Sequence, residues 1–142
     1  MTSLRLRTAA LTVAAFLLSA AVAGCFAPPT PAGPAVDPAD NALHDRVAAA
    51  LPGDADAARL YAAFYHLIAE RLTAGEWETT GELAAVAGRA AALLGLPGKL
   101  SAVVEDELDP VLNPPGPLTG ARRTNAAAAF ARLADACGEA VR

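Results

Sequence analysis

From Asp37 to the end of the chain, apolar side chains return every three or four positions, in runs that stop at Pro or Gly, and no stretch sustains the alternation of a strand. That rhythm confines the region to helices. Composition sharpens the point, because 38 of the 142 residues are alanine, the best helix former, and seven are aromatic. With 15 acidic and 11 basic side chains, the chain does not resemble a basic nucleic-acid-binding protein. Two cysteines are too few for a disulfide scaffold, and a hydrophobic fraction of 54% does not fit a disordered acidic chain.

Boundaries can be placed residue by residue. Asp37, followed by Pro38 and Asp40, starts a first helix with Leu43, Val47, Ala50 and Leu51 as its stripe, stopped by Pro52-Gly53. Asp54 caps a second, through Arg71 or Leu72, whose expected seam is Ala57, Leu60, Phe64, Leu67, Ile68 and Leu72, widened by Tyr61 and Tyr65. Gly75 closes it. Thr79 and Glu82 have capping-box spacing for a third helix bearing Leu83, Val86, Ala87, Ala90 and Leu94, with Trp77 packing over its start and Gly95 just past its end. A fourth begins near Pro97, uses Leu100, Val103, Val104, Glu107 and Leu108, and ends at Pro110. Four prolines between Asp109 and Leu118 predict a rigid surface crossing. Thr119 then caps a last helix with Ala126, Ala129, Phe130, Leu133, Cys137 and Val141. The expected fold is all-α, a small bundle of about five helices over 37–142. Only 26 of those 106 residues are Leu, Ile, Val, Phe, Tyr or Trp, so its core is thin.

The segment before Asp37 has a different character. Arg5 and Arg7 precede an apolar run from Ala9 to Ala23, broken only by Thr12 and Ser19. Fifteen residues at ~1.5 Å span roughly 22 Å, short of a ~30 Å hydrocarbon core, as in a secretory signal peptide. The junction Val22-Ala23-Gly24-Cys25 resembles the lipobox of bacterial lipoproteins, with Val22 where Leu is usual. The resemblance covers the leader alone. It implies a diacylglyceryl group on the Cys25 thiol, cleavage before Cys25 and acylation of the new amino terminus, with palmitate among the chains. An ordinary cleavable signal peptide ending near Ala23 and an uncleaved anchor are the alternatives. The lone cysteine where the apolar run stops, with a Pro-rich stretch directly after it, favours lipidation, and two or three acyl chains suffice for stable anchoring.

The expected organisation is therefore a signal peptide over 1–24, a lipidated Cys25 with a tether over 25–36, and a helical domain over 37–142. Pro28, Pro29, Pro31 and Pro34 make the tether extended and stiff, and eleven residues at ~3.1 Å reach roughly 30 Å. Loss of Arg5 and Arg7 leaves nine basic against fifteen acidic side chains, moving net charge from −4 to −6. Anionic headgroups and nucleic acid repel such a surface, so attachment falls to the lipid. The expected location is extracytoplasmic, on the outer leaflet of the cytoplasmic membrane or on an outer membrane.

Candidate sites are sparse. His66 and Glu70 share a face of the second helix, and His44 would adjoin them if the first two helices pack antiparallel, but two or three such ligands do not amount to a metal site. Glu105, Asp106, Glu107 and Asp109 lack the spacing of a calcium loop and read as a solvated face, with a basic partner as the alternative. Arg122 and Arg123 stand in the first turn of the last helix, against its dipole. They are expected to pair with that acidic run and pin the proline crossing, or to contact a phosphate or anionic glycan. Cys137, left without a partner once Cys25 carries lipid, reads as a small core thiol. Carboxylate pairs chosen among Glu70, Glu76, Glu78 and Glu82 are available in any acidic helical protein, and no Ser-His-Asp or Cys-His arrangement emerges. No enzyme activity and no cofactor are expected. The leading expectation is a structural or protein-interaction module of the cell envelope, meeting an envelope protein or another copy of itself. A small-molecule, peptide or glycan-binding module using the Tyr61–Trp77 region is the alternative, and a small enzyme around His66 ranks behind both. Candidate contact residues are Tyr61, Tyr65, His66, Trp77, Arg122 and Arg123.

Overall fold

The computed structural model describes residues 37–51 and 53–142. The expected leader, Cys25 and tether, together with Pro52, lie outside the described residues. The described chain is all-helical: α1 (Pro38–Ala50), α2 (Ala55–Thr73), α3 (Thr80–Leu94), α4 (Gly98–Leu112) and α5 (Gly120–Glu139). Local chemistry accounts for most of the starts. The Asp37 carboxylate accepts the Ala39 N–H, and that of Asp54 accepts the N–H groups of Asp56 and Ala57. At α3 both halves of the capping box form, Thr79 with the Glu82 backbone and Glu82 with the Thr79 backbone. Gly95 ends α3 in the left-handed region that favours glycine, at φ 64°.

Helix α5 is the axis of the bundle, packed by α2, α1 and α4, while α3 touches α4 at the edge. Its buried face is mostly small: Ala126, Ala129, Ala134, Ala136 and Cys137 surround Phe130 and Leu133. Helix α2 fills that shallow face with Tyr61, Tyr65, Ile68 and Leu72. Tyr65 meets Phe130 with ring centroids 6.1 Å apart and the planes tilted by 37°. Large side chains on one helix against alanines on the other make a dense core from few bulky residues.

This pairing corrects the expected seam of α2. Two apolar stripes run along that helix, and the one turned inward carries Ala58, Tyr61, Tyr65, Ile68, Ala69 and Leu72. Leu60 and Leu67 remain 51% and 45% exposed, and Ala57 and Phe64 are only half-buried. The tyrosines win the inner position because each covers more of the alanine surface than a leucine does. Helix α3 is similarly shallow in the core, burying Thr80 and Leu83 while Val86, Ala87, Ala90 and Leu94 are half-covered. Gly88 lies mid-helix on the exposed side, with nothing within 4 Å of where a Cβ would stand. Gly88→Ala is expected to raise unfolding stability by about 0.5–1 kcal/mol in chemical denaturation, through helix propensity alone.

Pro110 does not end α4, as the sequence suggests; the helix continues through it to Leu112. Val111 and Leu112 pack on the core, and the Asn113 side chain donates to Asp109 Oδ1 at 2.6 Å, so the last turn is held despite the missing proline N–H. Beyond it the proline crossing is tied to the start of α3. Thr80 N–H donates to Gly116 O at 2.9 Å, Gly116 N–H to Thr80 Oγ1 at 3.0 Å, and Leu118 N–H to Glu78 O at 2.7 Å. The crossing is thus more than a surface strap, because Leu118 is fully buried. Thr80→Val leaves Gly116 N–H without its acceptor and is expected to cost about 1–2 kcal/mol in the same denaturation assay. Thr119 occupies the cap position of α5 but its side chain makes no capping bond.

Candidate functional site

The feature that the fold places most firmly is the pair of arginines opening α5. Cations here oppose the dipole of their own helix. They lie, however, against the carboxyl ends of two others. Arg122 Nε donates to Val111 O, in the last turn of α4, at 3.0 Å, and its Nη2 donates to Pro114 O. Arg123 Nη1 donates to Leu72 O, in the last turn of α2, at 3.0 Å, and Nη2 to Trp77 O at 2.5 Å. Each guanidinium therefore meets one carbonyl oxygen in the last turn of a helix and one in the loop that follows it. The expected loop-pinning occurs, but through backbone carbonyls and not through the acidic run. Gly116 serves the same clamp, since a Cβ there would stand 3.0 Å from Arg122 Nη1.

The acidic run finds other cations. Asp106 pairs with Arg46 of α1 at 2.5 Å, and Glu107 with Arg132 of α5, Nε lying at 3.0 Å. Asp109 accepts from Asn113, and Ser101 donates to Glu105 at 3.4 Å. The face read as solvated is thus partly a lattice of bonds joining α4 to α1 and α5. Arg46 and Arg132 carried no sequence signal as partners, because both residues lie far along the chain from the acids.

The aromatic segment divides. Tyr61 and Tyr65 keep only 4% and 2% of their surface and lie in the core, which corrects their reading as contact residues. Burial pushes the Tyr65 phenol well above the ordinary tyrosine range, with the nearby Cys137 thiol and Tyr61 phenol adding to the effect. Phe64 is half-buried on α2, and Trp77 alone of the expected contact aromatics stays at the surface. It is half-buried and lines an open depression with Glu76, Glu78, Glu82, Val86 and Arg89. Two of those carboxylates are already engaged: Glu76 pairs with Arg71 at 2.8 Å, and Glu82 accepts the N–H groups of Glu78 and Thr79.

The two histidines are held apart. His66 Nε2 lies 3.3 Å from Glu70 on the exposed side of α2, whereas His44 Nδ1 lies 3.1 Å from Glu139 at the end of α5. No group of three metal-ligating side chains comes together among the described residues. Trp77 and Arg123 are the only two of the expected contact residues joined by a side-chain hydrogen bond, which runs from the Arg123 guanidinium to the Trp77 carbonyl.

Cys137 is fully buried in α5 beside the Tyr65 ring, and burial pushes its thiol up to about 11 from 9.0. A group with a raised native value stabilises the fold fully below its unfolded value and loses that contribution as pH rises through the native one. The domain is therefore expected to lose stability between about pH 9 and pH 11, with Tyr65 extending the loss upward. Denaturation midpoints across that window should fall less steeply in Cys137→Ala than in the wild type.

Comparison with protein-family models, curated proteins and solved structures gives no match to this chain. Among the described residues no helix is long and apolar enough to cross a membrane.

Proposed function

We propose that this chain is a membrane-anchored extracytoplasmic lipoprotein that works by contact, as a structural or protein-interaction module of the cell envelope. The observation that carries the reading is the junction Val22-Ala23-Gly24-Cys25, placed after a charged head and a short apolar run and before a stretch of four closely spaced prolines. The acidic balance after the junction supports it, since a net charge of −6 leaves the acyl chains as the means of attachment. The proposed partner is an envelope protein or another copy of the chain, and the proposed role is contact and not catalysis.

Cys25→Ser is expected to move the protein from the membrane to the soluble fraction. Undiminished membrane retention of that variant would overturn the anchor. For the contact role, chemical crosslinking in the native envelope is expected to recover the same protein or self-partner repeatedly, and recovery of none would count against it.

A second reading rests on Trp77, half-buried beside the depression on α3. A small-molecule, peptide or glycan ligand there would shift the emission of Trp77, the only tryptophan in the chain.

A further inference from the structure

Helix α3 is held firmly at one end only. Its first turn carries both of its buried side chains, Thr80 and Leu83. The same end is bonded to the proline crossing, Thr80 to Gly116 and Glu78 to Leu118, and its capping box is complete. Beyond Leu83 the helix changes character. No residue in 84–99 is buried, the longest such run among the described residues. Val86, Ala87, Ala90, Ala91 and Leu94 are half-covered, while Leu93 stands almost wholly in solvent. Among the described residues, one hydrogen bond joins this stretch to another helix, from the Tyr61 hydroxyl to Gly95 O. At 3.5 Å it is long for a hydroxyl donor and holds little.

The stretch has small helical stability of its own to set against this. Residues 84–94 are fewer than the ~12–15 at which an isolated helix becomes even marginal in water. Alanine favours the helix, but Gly88 in its middle weakens it. Segments with few buried apolar contacts open separately from the cores beside them. We propose that α3 has two parts: a head fixed to the proline crossing, and a tail over 84–94 that unravels while the rest of the bundle stays folded. Opening dismantles the depression beside Trp77, because Glu76, Trp77 and Glu78 stay with the fixed part while Ala85, Val86 and Arg89 leave with the tail. It also uncovers the apolar surface under Leu94 and Leu96, which pack on the core. The tail is thus a cover, exchanging a formed depression for an open apolar surface. Neither a ligand nor a partner enters the inference, which goes beyond both readings above.

Hydrogen exchange of the full chain in its folded state, followed amide by amide, tests it. The N–H groups of 91–96 are expected to be protected, but roughly a hundredfold less than those of 65–72 in α2 and 129–137 in α5. The Thr80 and Leu118 N–H groups, in the fixed part, should exchange with the α2 and α5 set. Sub-denaturing urea should speed the α2 and α5 amides steeply and the tail amides hardly at all, since opening the tail exposes a small fraction of the surface that global unfolding exposes. Phe130→Leu gives an independent arm. It is expected to lower α2 and α5 protection on the order of tenfold and leave the tail unchanged, because Phe130 stays covered when the tail opens. Tail amides as protected as those of α2 and α5, or accelerated in step with them by urea or by Phe130→Leu, would overturn the proposal. So would tail amides with no protection at all, because the tail would then never be closed.

Discussion

Phe130→Ala is expected to lower unfolding stability by about 3–5 kcal/mol, the largest effect of any single core truncation in this domain. Phe130 is fully buried on α5, the helix against which α1, α2 and α4 all pack. It is also the only aromatic on that helix, so its removal opens a cavity that the surrounding alanines have no side-chain length to fill. A domain of this size has about 5–15 kcal/mol in all, and the Tm should fall by at least roughly 12 °C in thermal unfolding followed by circular dichroism. Leu93→Ala supplies the contrast. Leu93 is 88% exposed, and its truncation should stay within about 0.5 kcal/mol. Equal losses for the two variants would contradict a core centred on α5.

Arg123→Met is expected to cost about 2–3 kcal/mol, although Arg123 touches no carboxylate. Its guanidinium spans the end of α2 and the loop carrying Trp77, through Leu72 O and Trp77 O. Methionine keeps much of the side-chain bulk but returns neither donor. Lysine keeps the charge but lacks the planar fork that reaches two carbonyls at once, so Arg123→Lys is expected to recover little of the loss. The lone tryptophan makes the local consequence readable. In Arg123→Met, its emission should shift to the red and its quenching by iodide should increase before global unfolding begins. An unchanged Trp77 signal would show that the clamp does not hold that loop.

Much of the fold was legible in the sequence, because helix ends are local chemistry. Asp37, Asp54, the Thr79–Glu82 pair, Gly75 and Gly95 act within a few residues of where they stand. The orientation of α2 was not local. Its Leu60–Leu67 and Tyr61–Ile68 stripes are both apolar at helical spacing, and the choice between them belongs to the alanine face of α5, which lies some sixty residues further along the chain. Pro110 fails to stop α4 for a related reason: the packing of partly buried Val111 and Leu112 on the core outweighs one missing hydrogen bond. The arginine clamp was half legible. That Arg122 and Arg123 would hold the proline crossing follows from their position, but carbonyl oxygens at distant helix ends leave no mark in a sequence, whereas an acidic run does. On the sequence alone Tyr61 and Tyr65 fit the core stripe or a contact surface with Trp77, because an aromatic cluster on one segment carries no indication of which members face inward.

The exposed stripe on α2 follows from the same competition, since the tyrosines that took the inner position left Leu60 and Leu67 outside. The contact role proposed for the chain depends on its attachment to a membrane by lipid. The most direct measurement is the mass of the amino-terminal peptide of the mature protein purified from membranes of cells fed a labelled fatty acid. The account predicts a chain that begins at Cys25, carries label on that residue, and loses it in Cys25→Ser. A mature chain that begins elsewhere, or an unlabelled Cys25, would contradict it.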